Sequence, residues 1–591
     1  MASDTHPNPL FLFAKMVLAP ALFFLAFFFI LTYPVLLKFK THFYADQGDG
    51  LQNVWNLWWV EKAVTQFHQS PWHTTYLHFP YGTTLIGHTM NSFNGFVAIV
   101  LSQFLSQVPV HNVIVTFSFV AGGVTAFLLA HHFTHSYWPS IMAGYIFTFS
   151  NFHFAHAEGH LQIVSLEWIP LFVLLWLRLL AKPTIALGAA AAGVLFLVIL
   201  CDYYYFFYCV LTGLIAALWF HRDKEAPFSF SNKEYWGPLG VFAGLSLMTS
   251  GILAGSLVWV TLTDGLVGNA NPVDYSLDLL APFIYGGHWR FAALTRAFWS
   301  RETGNIHENS VHLGLSVVFL LILVWRMRNF SDFSEVKIFF VLNAFFAVVA
   351  LGPILHIAGR QILPWLPWPY AWMMTVFPPM KVASDPIRMM VMVFLCAAVI
   401  SAFGFRFLFR GTRRQKVFAS VLVAILFVEY LPKAVPTSLV PVPEYVQVLK
   451  NLPGSDGVLD LVANPALNRF YDAAPSLNLF YQTVHEKPLA FGYLARIPKS
   501  VEKKDRDLAE VIKNENFSRL WPDYHFRYIV SGDRPHVLRS LPGVEVVWTD
   551  GQISLFDISH SESHLAESRS ITSGLDPNCQ GDCAPPQSGI N

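Results

Sequence analysis

Charge is scarce in this chain. Only 13% of its 591 residues are Asp, Glu, Lys or Arg, whereas 54% are hydrophobic and 16% aromatic. A soluble protein of this length needs far more charged surface, so the shortage excludes one and leaves a polytopic membrane protein. The charges present balance, 38 basic against 38 acidic, which argues against a nucleic-acid partner. Cysteine is sparse too, with five in all. Cys201, Cys209 and Cys396 lie in apolar runs, as inert packing residues do. Cys579 and Cys583 sit in a Gly/Pro/Ser-rich tail, either as a small disulfide or as two free thiols. A clear small-residue cleavage site is missing near the N-terminus. The apolar run reaching Leu37 is also too long for a signal peptide, so it reads as an uncleaved first span.

Apolar runs are abundant, near 17–37, 92–109, 112–131, 139–151, 161–180, 184–201, 203–220, 236–262, 310–325, 337–352, 387–405 and 417–431. They predict an α-helical polytopic membrane protein with about 11–13 transmembrane helices across residues 1–431 and a first outer loop over 38–91. From Pro432 the composition becomes ordinary. Val458-Leu-Asp-Leu-Val, Phe526-Arg-Tyr-Ile-Val and Gln552-Ile-Ser-Leu-Phe read as strands, and Lys503 to Asn514 as a helix. Residues 432–560 are therefore expected to form a small soluble α/β domain, and 561–591 a disordered tail.

Positive charge orients the spans. Phe405 to Lys416 holds five cations and no acid, so it belongs in the cytoplasm; Arg326 to Lys337, His221 to Glu234 and Arg178/Lys182 then fall on the same side. Loops 263–309 and 353–386, the turn 151–160 and the C-terminal domain fall on the other side. Counting every run as a crossing puts Asp46 and Asp49 in the cytoplasm beside Lys38 and Lys40; demoting the polar segment 92–109 moves them outside.

Those two carboxylates flank the Gly48/Gly50 turn ahead of a Trp-rich helical pattern, with Trp55, Trp58, Trp59 and Lys62 spaced as on an interfacial helix. An acid here can deprotonate an acceptor hydroxyl or hold a divalent cation against a donor phosphate; alternatively Asp49 caps its helix. A second polar group is Asn151 to Gln162, where His153, His156 and His160 share one face of a helix. Such histidines more often make hydrogen bonds than hold a metal, and Glu158 and His160 are candidate substrate contacts. Glu167 is costly in its span unless it faces a polar cavity. In the outer loops lie Asp274 and Asp278, then Arg301, Glu302, His307, Glu308 and His312, then Lys381, Asp385 and Arg388. Cations there run against the positive-inside bias and suit a lipid phosphate, with a local Asp385–Arg388 ion pair as the plainer reading.

Gly48-Asp-Gly-Leu-Gln-Asn-Val-Trp-Asn-Leu-Trp-Trp, Ala155-His-Ala-Glu-Gly-His-Leu-Gln, Leu351-Gly-Pro, Pro367-Trp-Pro-Tyr, the Arg388 segment and Gly492-Tyr493 form an ordered succession over most of residues 1–560. It resembles bacterial membrane proteins related to the GT-C glycosyltransferases, polytopic enzymes that use polyprenyl-phosphate-linked sugars. The resemblance implies a sugar donor on a polyprenyl phosphate, a lipid, glycan or protein acceptor, and a multi-pass location in the bacterial inner membrane with an extracytoplasmic C-terminal domain. It implies Asp49, with Asp46 second, as catalytic base or metal ligand. His160, His312, Lys381 or Arg388 would hold the donor phosphate, beside Glu158 and Glu308, and Mg or Mn would be the divalent cation. A transporter or flippase of lipid-linked sugars and a non-catalytic envelope scaffold are the rival expectations.

Overall fold

A computed structural model gives the fold and describes residues 8–561 apart from 224–226, 269–270, 329–332, 378–379, 381–384, 464–475 and 533. Lys381, Cys579, Cys583 and the expected tail beyond residue 561 lie outside the described residues.

Among the described residues six helices are long and apolar enough to cross a bilayer: Pro9–Leu31, Gln107–Thr134, Leu161–Ala181, Tyr203–Arg222, Phe333–Ala350 and Pro386–Arg410. The pair Lys233–Met248 and Ser250–Thr263, bent by 46°, makes a seventh if it is one broken span. The chain is a multi-pass α-helical membrane protein. Other runs counted as spans form shorter helices, because polar residues interrupt them. Asp202, for example, ends Ile185–Cys201 and caps Tyr203–Arg222 through the N–H groups of Tyr204 and Tyr205, at 2.7 and 3.1 Å.

Burial sorts the helices by position. Pro386–Arg410 is 89% buried over its most apolar stretch and forms the centre, whereas Pro9–Leu31 is 17% buried and faces outward. Glycines allow close approach between helices. The ring of Phe24 rests on Gly123 and Gly144, where an added Cβ would lie 2.7 and 2.4 Å from it.

The bundle has two chemically distinct ends. At one, Arg406, Arg410 and Gln415 surround a cavity with Met327 and Phe333, Phe133 packs on Phe339, and Tyr235 bonds the Leu180 carbonyl. These contacts gather the basic segments that the charge rule assigned to one side. Roughly 30 Å away, the length of the central helix at 1.5 Å per residue, lies the end that carries Arg388.

Asp49 belongs to the Arg388 end. The segment 92–109 is not a span: its helix, Ser92–Leu101, has ten residues and ends at Ser102. Asn112, near the start of the next helix, bonds the carbonyls of Phe39 and His42 at 2.9 and 2.8 Å and the Tyr44 amide at 2.8 Å. The chain from residue 39 to 112 thus leaves and rejoins the same end, which removes the conflict left by counting every run as a crossing. Lys38, bonded to Thr437, remains at that end against the usual bias.

Beyond Glu429 lies a four-stranded sheet in the order 457–460, 526–531, 554–557, 545–549, with the first pair parallel and the others antiparallel. Three strands and the helix Lys499–Lys513 fall where the periodicity predicts them; the edge strand Glu545–Thr549 is mostly exposed and shows no alternation. One hydrophobic core joins Leu51, Trp55 and Trp59 to Leu449, Leu479, Tyr528 and Leu555, so a boundary at residue 431 cuts through shared packing. A short ribbon, Leu266–Gly268 against Arg496–Pro498, ties the bent helix pair to this sheet region.

Exposed Gln47 and Thr412 sit at opposite ends. In a background without native cysteines, Gln47→Cys and Thr412→Cys should react with an impermeant maleimide from opposite sides of the membrane. Reaction of both from one side would contradict this arrangement.

Candidate active site

The Gly48 turn is built by Asp46. Its Oδ1 accepts from the Gly48 and Gly50 amides, each at 2.9 Å, and its own amide donates to the Glu158 carbonyl at 2.7 Å. Asp49 is the first residue of the helix Asp49–Thr65 and makes no capping bond, so the cap reading fails for Asp49 and Asp46 supplies that bonding instead. The Trp face also differs from the interfacial expectation. Trp55 and Trp59 are fully buried, stacked at 5.9 Å, and bonded to Gln482 and the Pro71 carbonyl, because the 476–485 helix covers them.

The turn 158–160 packs directly on this helix. A Cβ on Gly159 would lie 3.0 Å from Asp46 Oδ2, and Asn53 donates to the Gly159 carbonyl at 2.5 Å. His160 Nε2 thereby comes within 3.2 Å of Asp49 Oδ2, while its Nδ1 lies 2.9 Å from His156 Nδ1. Glu308 stands behind both rings, 3.7 Å from His156 and 3.9 Å from His160. Arg388 grips Glu308 through Nε, 3.1 Å from each carboxylate oxygen, and reaches Asp385 at 3.3 Å, so the local ion pair exists but is the weaker half of a bridge. Tyr204 continues the network, donating to Asp385 at 2.9 Å and accepting from Arg496 at 2.7 Å, with both guanidinium groups over its ring at 5.2 and 5.6 Å.

These groups enclose a polar chamber of about 180 Å³ lined by Asp49, His160, Glu308, Asp385, Arg388 and Arg496, with Tyr493 and Asn53. An apolar groove of about 140 Å³ adjoins it, lined by Tyr203, Phe206, Phe207, Leu257, Val258 and Phe377. Arg496 lines both cavities, and Tyr204, in the groove wall, bonds Asp385 and Arg496 of the chamber.

Electrostatics separates the carboxylates. Burial raises the Asp49 carboxyl, but the hydrogen bond and charge of His160, with His307 and Arg388, outweigh it and hold Asp49 below its ordinary value. Burial raises Asp46 and its amide donors offset this only in part, so Asp46 stays above its ordinary value. Burial lowers His160, yet its bond to Asp49 and the Glu308 charge leave it raised. Glu308 is raised by burial and lowered further by Arg388, with a net downward shift.

Asp49, His160, Glu308 and Arg388 thus meet in one chamber. Three other candidates are placed differently. Asp46 shapes the turn. His312 is buried behind the site, accepting from the Gly286 amide at 2.9 Å and lying 3.0 Å from the Asn151 amide, so it does not line the chamber and burial drives it down to about 4. Glu158 turns away toward His288, His307 and Lys433, at 3.2, 3.8 and 3.5 Å. His153 is hydrogen-bonded to the Thr148 and Val164 carbonyls, as its less specific reading required. Sequence reasoning missed Arg496 and Tyr204 as site residues, although Arg496 follows the Gly492-Tyr493 segment by three positions.

No protein-family model and no curated protein matches the chain. Solved structures do. The arabinofuranosyltransferase AftD from Mycobacteria superposes with a TM-score of 0.54 at 11% identity, over 93% of this chain and 42% of that one. The chain has the GT-C fold. It spans less than half of that transferase. Two other GT-C proteins match with lower scores. The oligosaccharyltransferase AglB from Archaeoglobus fulgidus, solved with a dolichol-phosphate, gives 0.43 at 11% identity over 93% of this chain and 74% of that one. ArnT from Cupriavidus metallidurans, bound to undecaprenyl phosphate, gives 0.40 at 10% identity over 90% and 97%.

Among the described residues two groupings could hold a divalent cation, His156/His160/Glu308 and Glu158/His288/His307. In the first, His156 Nε2 is buried without a hydrogen-bond partner, which fits a ligand, but both Glu308 oxygens already accept from Arg388.

The Asp49–His160 pair should make stability depend on pH. His160 is raised in the folded state, so its contribution is complete below its unfolded value of 6.5 and fades as pH rises through the folded value. Asp49 is depressed, so its contribution is lost only in acid, as pH falls through a value below 3.8. Asp49 is 42% exposed, and screening limits the pair to about 0.5–1 kcal/mol. The gap in thermal unfolding between wild type and His160→Gln should therefore be widest between about pH 4 and 6.5 and narrow above. A gap independent of pH would refute the pair.

Proposed function

We propose that this protein transfers a sugar from a polyprenyl-phosphate donor to a hydroxyl of a lipid, glycan or protein acceptor on the outer face of a bacterial inner membrane. The observation that carries the reading is the junction of the two cavities: an apolar groove suited to a prenyl chain meets, at Arg496, a chamber that holds two guanidinium groups and a depressed carboxylate. A lipid phosphate needs this arrangement, with hydrocarbon on one side of the phosphorus and cations on the other. The fold shared with an arabinofuranosyltransferase adds support for glycosyl transfer.

In this reading Asp49 takes the proton of the acceptor hydroxyl as that oxygen attacks the anomeric carbon. The bond from that carbon to the phosphate oxygen breaks, and Arg388 and Arg496 hold the charge that develops on the departing polyprenyl phosphate. Direct attack inverts the anomeric centre. Glu308 and Asp385 are held by Arg388 and orient it rather than serve as nucleophiles. His160 limits the basicity of Asp49 while protonated and frees it as it loses its proton. A divalent cation, when bound, supplies positive charge for the donor phosphate; of Mg and Mn, the imidazoles of His156 and His160 suit Mn better. Among the described residues the acid–base network of Asp49, His160, Glu308, Asp385 and Arg388 lies at one end of the bundle rather than at its middle, which favours a transferase over a transporter.

Radiolabelled sugar transfer from polyprenyl phosphate tests the assignment. Asp49→Asn should lower turnover by about 10²–10⁴-fold with little change in donor KM. Arg496→Ala should raise donor KM by about tenfold or more, because a charge-assisted contact is lost. Undiminished transfer by Asp49→Asn removes the base, and an unchanged KM in Arg496→Ala removes the clamp.

A further inference from the structure

We propose that Glu158, His288 and His307 form a transition-metal site of the zinc class that staples the loop carrying Glu308 to the turn carrying His160. His288 and His307 come from one loop and Glu158 from the turn before the span Leu161–Ala181, and one ligand atom of each lies within 4.8 Å of the others.

Proton positions single out this cluster. Ser310 Oγ donates to the Ile306 carbonyl at 2.8 Å, so its single proton is used. The 2.7 Å contact between His288 Nδ1 and that oxygen is then a bond donated by Nδ1–H. In a neutral ring this leaves the lone pair of Nε2, on a side chain 1% exposed, facing Glu158 Oε2 at 3.2 Å, and Nε2 makes no hydrogen bond. Two acceptors at that distance repel unless a proton or a metal ion lies between them. A tetrahedral zinc with bonds near 2.0–2.1 Å holds its ligand atoms about 3.3 Å apart, so the His288–Glu158 spacing already suits one. His307 Nδ1 lies 3.8 Å from the same oxygen and donates to the Ala155 carbonyl at 3.2 Å, a bond that the ring exchanges for the metal by rotating and presenting an unprotonated nitrogen. The Ser310 bond to His288 is also the kind of outer contact that fixes a ligating imidazole.

Lys433 is the competing charge, with its ammonium 3.5 Å from Glu158 Oε2. Its side chain is 36% exposed and can turn into solvent when the metal enters. Two imidazoles and one carboxylate favour zinc over magnesium, which demands oxygen ligands. The role is positioning. The Glu158 carbonyl holds the Asp46 amide, Gly159 holds Asn53, and Glu308 follows His307 directly, so the staple fixes the geometry of the Asp49 chamber without entering it.

The test uses the full chain in detergent, stripped with a chelator and titrated with Co²⁺. One equivalent should give the visible absorption of four-coordinate cobalt, be displaced by Zn²⁺, and raise the thermal midpoint. The absorption should vanish in His288→Gln/His307→Gln and persist in His156→Gln, which disrupts the other grouping. Lys433→Met should bind Co²⁺ about 10–100-fold more tightly, a gain that a misfolded variant cannot produce. Absence of the band from wild type, its survival in the double variant, its loss in His156→Gln instead, or unaltered affinity in Lys433→Met would each overturn the proposal.

Discussion

The grip of Arg388 on Glu308 is the interaction on which the rest of the site depends. Both groups are largely withdrawn from water, with side chains 10% and 1% exposed. Such a pair contributes little net stability, because desolvation offsets the attraction, but removing one partner leaves an uncompensated buried charge at a cost of about 3–5 kcal/mol. Its value is specificity. Arg388 begins the most buried helix of the bundle, and Glu308 lies in the loop that also brings His307 and Ser310, so one bidentate contact sets that loop against the helical core. Asp385 and Tyr204 extend the contact to Arg496, and the order of charges alternates throughout: Glu308, Arg388, Asp385, then Arg496 through the tyrosine hydroxyl. Alternation lets two guanidinium groups stand near one another without mutual expulsion.

Much of this was legible in the chain. A shortage of charge identified the membrane protein, and the cations of 405–416 identified one end, because both follow from the cost of taking charge out of water. The chamber residues Asp49, His160, Glu308 and Arg388 could be singled out for the same reason: ionisable groups at span ends need a purpose. What could not be read depends on contacts between distant segments. Whether 92–109 crosses is decided by the bonds of Asn112 to Phe39 and His42, and no local pattern encodes them. The Trp55/Trp59 stripe has the same spacing whether it faces lipid or a second helix, and only the 476–485 helix settles which. Arg496 is one arginine in an unremarkable stretch. Its importance comes from the ribbon that pairs it with Gly268 and aims it at Tyr204. His312 shows the opposite failure, a polar residue in the expected loop that serves the backbone.

The chamber lies between parts of the chain that composition alone would assign to different solvents. Its floor is the Arg388 end of the bundle, and its wall is Tyr493 and Arg496 from the sheet region. Neither part alone would supply both features that the proposed lipid-phosphate donor needs. The bundle would present the groove without the second cation, and the sheet region would present a cation with no apolar surface to orient a chain. The shared core of Trp55, Trp59, Leu479 and Tyr528 makes the two parts one structural unit, so the helix that begins at Asp49 is fixed on both sides. A carboxylate on the first turn of so constrained a helix has little freedom to move. In the proposed transfer the acceptor must therefore come to Asp49, while the groove, meeting the chamber at Arg496, would fix the direction from which the donor arrives.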